Sequence, residues 1–151
     1  MKSSFHILLV EDNTSDIRLI REALRDVAVP THLSVVEDGI QALAFLRHEP
    51  PYAAAPQPDL LLLDLNLPQK PGHEVVAELR ADPALRRVPV VVLTTSEAQS
   101  SVRLLYDLGV NCYVLKPVEL EAFLATVRAI VEFWGAYVCL PSHGAPDQER
   151  A

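Results

Sequence analysis

The run Leu60-Leu61-Leu62-Leu63-Asp64 constrains the fold more than any other stretch of the chain. Four leucines in succession leave no polar face. A strand without alternation is buried on both sides, as in a parallel sheet covered by helices on each face. Phe5–Val10 and Val88–Leu93 are similarly apolar. None of these blocks approaches the ~20 residues needed to cross a bilayer.

Helical periodicity alternates with these blocks. After Phe5–Val10, Asn13-Thr14-Ser15-Asp16 supplies helix-start residues, and Ile17, Leu19, Ile20, Ala23, Leu24 and Val27 follow at helical spacing. His32–Glu37 reads as a second strand, and Asp38 with Gln41 as a capping box for a helix through about Leu46. His48–Pro58 is rich in Pro and Ala and reads as a loop. A third helix runs from about His73 to Arg80 and breaks at Asp82-Pro83. Ser96 with Gln99 predicts a second capping box, for a helix that Gly109 stops after Leu108. Asn111–Leu115 is the fifth strand, and the last helix starts near Glu119 and reaches Tyr137. Strict alternation predicts an α/β fold: a flavodoxin-like, doubly wound (βα)5 unit with a five-stranded parallel sheet in the order 2-1-3-4-5. Sites in such sheets form beyond the carboxyl ends of the strands.

The chain has 151 residues and is half hydrophobic, enough for one core without disulfide or metal staples. Residues 1–140 are expected to form a single domain and 141–151 a disordered tail. A net charge of −7 opposes direct DNA binding. Cys112 and Cys139 make no CxxC or zinc spacing and are expected to be reduced thiols. The histidines His6, His32, His48, His73 and His143 show no metal-ligand spacing and are assigned to surface or loop positions. The N-terminus lacks the apolar core and cleavage site of a signal peptide, so the expected location is the cytoplasm, away from membranes.

The predicted strand ends carry the chemistry. Glu11 and Asp12 follow the first strand, Asp64 ends the third, Thr94 and Thr95 follow the fourth, and Lys116-Pro117 follow the fifth. Each alone has an ordinary reading: a carboxylate as a helix cap, a threonine as a turn residue, a lysine as a solvated cation. Their coincidence at neighbouring strand ends does not. Two carboxylates ~5 Å apart repel by roughly 3 kcal/mol at an effective dielectric of 20. Three cannot all stay ionised beside a single lysine. A hard divalent cation would offset the repulsion, and magnesium suits a site with few carboxylates that accepts phosphate oxygens as further ligands.

The set Glu11-Asp12, Asp64, Leu67-Pro68 through Gly72, Thr94 and Lys116-Pro117 resembles the signature of response-regulator receiver domains, over Phe5 to about Trp134. More narrowly, Val10-Glu11-Asp12-Asn13, Leu93-Thr94-Thr95-Ser96, Leu108-Gly109-Val110-Asn111 and Phe133-Trp134 resemble the small receivers that partner bacterial phytochrome kinases. The resemblance implies a two-component response regulator rather than a classical enzyme. Asp64 would accept a phosphoryl group from a sensor histidine kinase of the bacteriophytochrome kind, and the domain would promote its own phosphorylation and dephosphorylation. Mg2+ would be held by Asp12, Asp64 and the backbone carbonyl of Asn66, with Glu11 reaching it directly or through water. Thr94 and Lys116 would contact phosphoryl oxygens, and a cis Lys116–Pro117 bond would aim the ammonium inward. Thr95 and Asn66 occupy positions that tune phosphoryl lifetime.

The resemblance also implies a switch through Thr94, Tyr113 and Pro117 that reshapes the face of the fourth helix, fifth strand and fifth helix. A homodimer through that face is expected. The aromatic end Phe133-Trp134 to Tyr137 would contribute, unless its rings fold back on their own domain. Too few residues follow the last helix for an output module, so a stand-alone receiver is expected. Two other readings stand beside this one. A pseudo-receiver that binds partners without phosphorylation is disfavoured by the intact acidic set. A haloacid-dehalogenase-type hydrolase is disfavoured by Asn66, where that family carries Asp two residues after its nucleophile.

Overall fold

A computed structural model describes residues 4–141 of the chain. The elements in order are β1 (Phe5–Val10), α1 (Thr14–Leu24), β2 (Thr31–Val36), α2 (Gly39–Leu46), β3 (Leu60–Leu63), α3 (Gly72–Ala81), β4 (Val90–Thr94), α4 (Gln99–Leu108), β5 (Cys112–Leu115) and α5 (Leu120–Glu132). A π-helical turn, Phe133–Tyr137, continues α5. The strands pair in parallel in the order β2-β1-β3-β4-β5, the expected flavodoxin-like arrangement. The tail expected over 141–151 lies outside the described residues beyond Pro141, as does His143.

All four leucines of β3 are 0% exposed, because alternate residues serve two separate cores. Leu61 and Leu63 join Leu8, Val10, Val90 and Val92 against α2, α3 and α4. Leu60 and Leu62 join Ile7, Leu9, Val91 and Leu93 against α1 and α5. Each such burial contributes roughly 1.5–3 kcal/mol, so this run anchors both layers at once.

Local signals place several of the helix ends. Asn13 caps α1 by accepting the Asp16 amide. At α2 the Asp38 carboxylate accepts the Gln41 amide, and the Gln41 side chain accepts the amide of Glu37. Gly109 ends α4 in the left-handed region at φ 106°, which a residue without Cβ enters freely. The second expected capping box does not form. The helix opens at Gln99 after Ala98 with no side-chain cap, and the Ser96 carbonyl instead accepts the Tyr113 hydroxyl. Helix α1 stops at Leu24 rather than Val27 because the amides of Arg25 and Asp26 bond three residues back. Val27 nonetheless packs on the α1/α5 core.

His6 and His32 stand in strands, paired in register with their rings 5.1 Å apart; His32 is exposed, as a surface position requires, and His6 is half-buried. At the aromatic end, Trp134 folds onto the α1/α5 core, whereas Phe133 and Tyr137 remain exposed. Among the described residues no helix is long and apolar enough to cross a membrane.

Candidate functional site

The hydrogen-bond ladder itself carries the chemistry to one edge of the sheet. Just past the strand ends, the Glu11 amide donates to the Val36 carbonyl (3.0 Å), the Asp64 amide to Val10 (3.1 Å) and the Lys116 amide to Thr94 (2.7 Å). Parallel pairing thus aligns Glu11, Asp64, Thr94 and Lys116 along the carboxyl end. Gly72 lets the start of α3 press on this edge: a Cβ there would stand 2.8 Å from the Asp64 carbonyl oxygen.

The side chains then converge. Lys116 Nζ donates to Asp16 Oδ2 at 2.7 Å, Glu11 Oε1 at 2.8 Å and Asp64 Oδ2 at 3.1 Å. The Lys116, Glu11 and Asp64 side chains are 8%, 2% and 7% exposed. One carboxylate oxygen from each of Glu11, Asp12 and Asp64 lies within 4.8 Å of the others, with Asp12 on the exposed side. Burial pushes the Glu11 carboxyl up to about 7; the Lys116 hydrogen bond opposes this and the Asp64 charge adds to it. Burial works against the Lys116 ammonium, yet its hydrogen bonds to Asp16 and Glu11 and the Asp64 charge outweigh it and hold the group above its ordinary value. The cluster carries more negative charge than one lysine neutralises, and its all-oxygen donor set fits a hard divalent cation.

Two backbone amides complete the carboxylates: Asn13 N–H donates to Glu11 Oε2 and Asn66 N–H to Asp64 Oδ1. Thr94 is fully buried, and among the described residues its hydroxyl has no hydrogen-bond partner. Leaving such a group unpaired costs about 1–3 kcal/mol, a cost that an incoming acceptor would remove. Tyr113 packs half-buried against the α2–α4 core. Its hydroxyl donates to the Ser96 carbonyl at 2.8 Å, and its amide donates to the Tyr106 hydroxyl.

The Lys116–Pro117 bond is not cis, contrary to expectation; among the described residues only Pro50–Pro51 is. Lys116 points inward because three carboxylates draw it there. Asp16 was not anticipated as part of the site. Its position in the Asn13-Thr14-Ser15-Asp16 cap made a local role sufficient, although it stands about one turn beyond the Glu11-Asp12 pair.

Cavities among the described residues flank the sheet, two of them beside its strand ends. The larger, about 380 Å³, lies at the amino ends of β3 and β4 and is lined by His48, Gln57, Asp59, Arg87, Val88 and Pro89. The smaller, about 270 Å³, lies beside Lys116 and is lined by Asp16, Leu19, Thr95, Pro117, Leu120 and Phe123. The first is larger, but the charged side chains converge beside the second.

Residues 7–128 match the family described as the response regulator receiver domain. Response regulator Rcp1 of Synechocystis is 46% identical over 136 residues, which is 90% of this chain and 92% of that protein. The structure of the phosphorylated cyanobacterial phytochrome response regulator RcpA is similar with a TM-score of 0.89 at 51% identity, covering 92% of this chain and 99% of that one. The Mn2+-bound form of Rcp1 gives a TM-score of 0.87 at 45% identity, covering 91% and 99%.

Proposed function

The chain belongs to the response regulator receiver domain family, and from that premise we propose that its Asp64 accepts a phosphoryl group from a sensor histidine kinase in a Mg2+-dependent reaction. The observation that carries this reading is a buried ammonium shared among carboxylates at one sheet edge, with Asp64 in their midst. An Asp64 carboxylate oxygen attacks phosphorus as the bond to the kinase histidine nitrogen breaks. The imidazole leaves with the electron pair, and the product is an acyl phosphate. The transition state of such transfers is loose, with charge spread over the equatorial oxygens, so positioning and electrostatics supply most of the catalysis.

Glu11, Asp12, Asp64 and the backbone carbonyl of Asn66 would hold Mg2+, which when bound neutralises charge between these carboxylates and the phosphoryl oxygens. The unpartnered Thr94 hydroxyl donates to one phosphoryl oxygen, and Lys116 faces another as a point charge. The same groups let the domain, over residues 1–140, promote its own phosphorylation and dephosphorylation. The printed names of RcpA and Rcp1 support a kinase of the phytochrome kind as partner. Leu104, Tyr106 and Leu115 stand exposed on α4 and β5, which supports a homodimer through the α4–β5–α5 face. Thr94, Tyr113 and Pro117 link the site to that face.

Incubation with acetyl phosphate and Mg2+, followed by intact-mass measurement, tests the reading. Wild type should gain one phosphoryl mass and Asp64→Asn none. Equal labelling of the variant, or labelling that is indifferent to chelator, would overturn it.

A further inference from the structure

The geometry points to Asp16 as the positioning residue that keeps Lys116 at the phosphoryl site once a cation occupies the carboxylates. This inference deepens the proposed function and rests on it. An ammonium has three donors, and Lys116 places one on each of Asp16, Glu11 and Asp64. Two of those acceptors, Glu11 and Asp64, belong to the set whose oxygens lie within 4.8 Å of one another and could ligate a metal; Asp16 does not. A divalent cation held by that set would compete with Lys116 for the Glu11 and Asp64 carboxylates. Asp16 is then the anchor that remains, at the shortest of the three distances, 2.7 Å.

The placement of Asp16 suits such a tether. It stands in the first turn of α1, where its amide is fixed by the Asn13 side chain. Its side chain is 22% exposed, more than those of Glu11 and Asp64, so it holds a carboxylate near the rim of the site. Held from this side, Lys116 keeps two donors free to face phosphoryl oxygens. Without the tether, the four-carbon stem would let the ammonium swing toward solvent or toward the cation's own ligands.

The test measures the initial rate of Mg2+-dependent labelling of Asp64 by acetyl phosphate in five proteins: wild type, Asp16→Asn, Asp16→Glu, Lys116→Ala, and Asp16→Asn in the Lys116→Ala background. Asp16→Asn should label about tenfold more slowly, in line with losing a charge-assisted hydrogen bond. Asp16→Glu should recover much of the rate. In the Lys116→Ala background the Asp16→Asn change should have no further effect. A wild-type rate in Asp16→Asn overturns the inference, and so does an equal slowing in the Lys116→Ala background. Thermal melts of each variant separate these outcomes from unfolding, since a structural loss would slow labelling with or without Lys116. Failure of wild type itself to label, or labelling of Asp64→Asn, strikes the proposed function instead.

Discussion

The Lys116 amide donates to the Thr94 carbonyl across 2.7 Å, so the ammonium and the buried hydroxyl of the site rise from adjacent rungs of one ladder. They differ in what they find there. Lys116 meets three acceptors, and the Thr94 hydroxyl meets none. A surplus of acceptors around the ammonium and an idle donor beside it support the proposal that a phosphoryl group and a divalent cation share this pocket.

Thr94→Val keeps the shape of the side chain and removes the unpartnered hydroxyl. It should raise unfolding stability by about 1 kcal/mol in the absence of cation, because a buried donor without a partner is deleted. The same change should reduce phosphorylation of Asp64. Urea midpoints check the first effect; a lower midpoint than wild type contradicts the view that this hydroxyl is idle.

Stability without divalent cation should fall as pH rises. Burial holds the Glu11 carboxyl at about 7 in the fold, above its ordinary 4.5. The folded state therefore binds this proton more tightly than the unfolded chain does. Its contribution is fully present below about 4.5 and is lost as pH rises through 7. Urea midpoints in chelator should decline between about pH 5 and pH 8, Glu11→Gln should flatten the decline, and Mg2+ should restore the midpoint at the higher pH. An identical slope in wild type and Glu11→Gln would assign the decline elsewhere.

Lys116→Met leaves Glu11 and Asp64 buried without their cation. Breaking a buried ion pair from one side costs roughly 3–5 kcal/mol, moderated here by protonation of Glu11. Chemical denaturation in chelator should show a loss of about this size, and added Mg2+ should recover part of it. Calorimetry should also find Mg2+ bound more tightly to the variant, since a competing positive charge has gone. Equal stability of variant and wild type in chelator is the outcome that rules this account out.

Tyr113 joins β5 to the β4–α4 loop through its hydroxyl bond to the Ser96 carbonyl. Wild type should associate on phosphorylation, read by light scattering at micromolar concentration, and Tyr113→Ala should abolish the change while still labelling at Asp64. Tyr113→Phe should weaken it by about 1 kcal/mol, the worth of one hydrogen bond. Persistent monomers with and without phosphorylation would remove the dimer from the proposed function.

Much of the architecture was legible because its signals are local. The β3 leucines, the Asn13 and Asp38 caps and the Gly109 stop depend on side-chain periodicity and on hydrogen bonds across three or four residues. The Ser96–Gln99 pair carried the same local signal and failed, since Ser96 lies in a loop whose carbonyl is taken up by Tyr113, 17 residues away. The side-by-side placement of the His6 and His32 rings likewise follows from strand pairing rather than from either residue's neighbours in sequence.

By itself, the order of apolar blocks and helical stretches determined a parallel sheet, and the sheet determined that Glu11, Asp64, Thr94 and Lys116 would share one edge, because hydrophobic pattern and strand direction act over short range. Only the tertiary structure decided how those groups divide one positive charge. It brought Asp16 to Lys116 across 100 residues, left the Thr94 hydroxyl unpaired, and aimed Lys116 inward with its proline bond trans. Electrostatic pairing varies steeply with separation and burial, and both quantities exist only once the helices have packed.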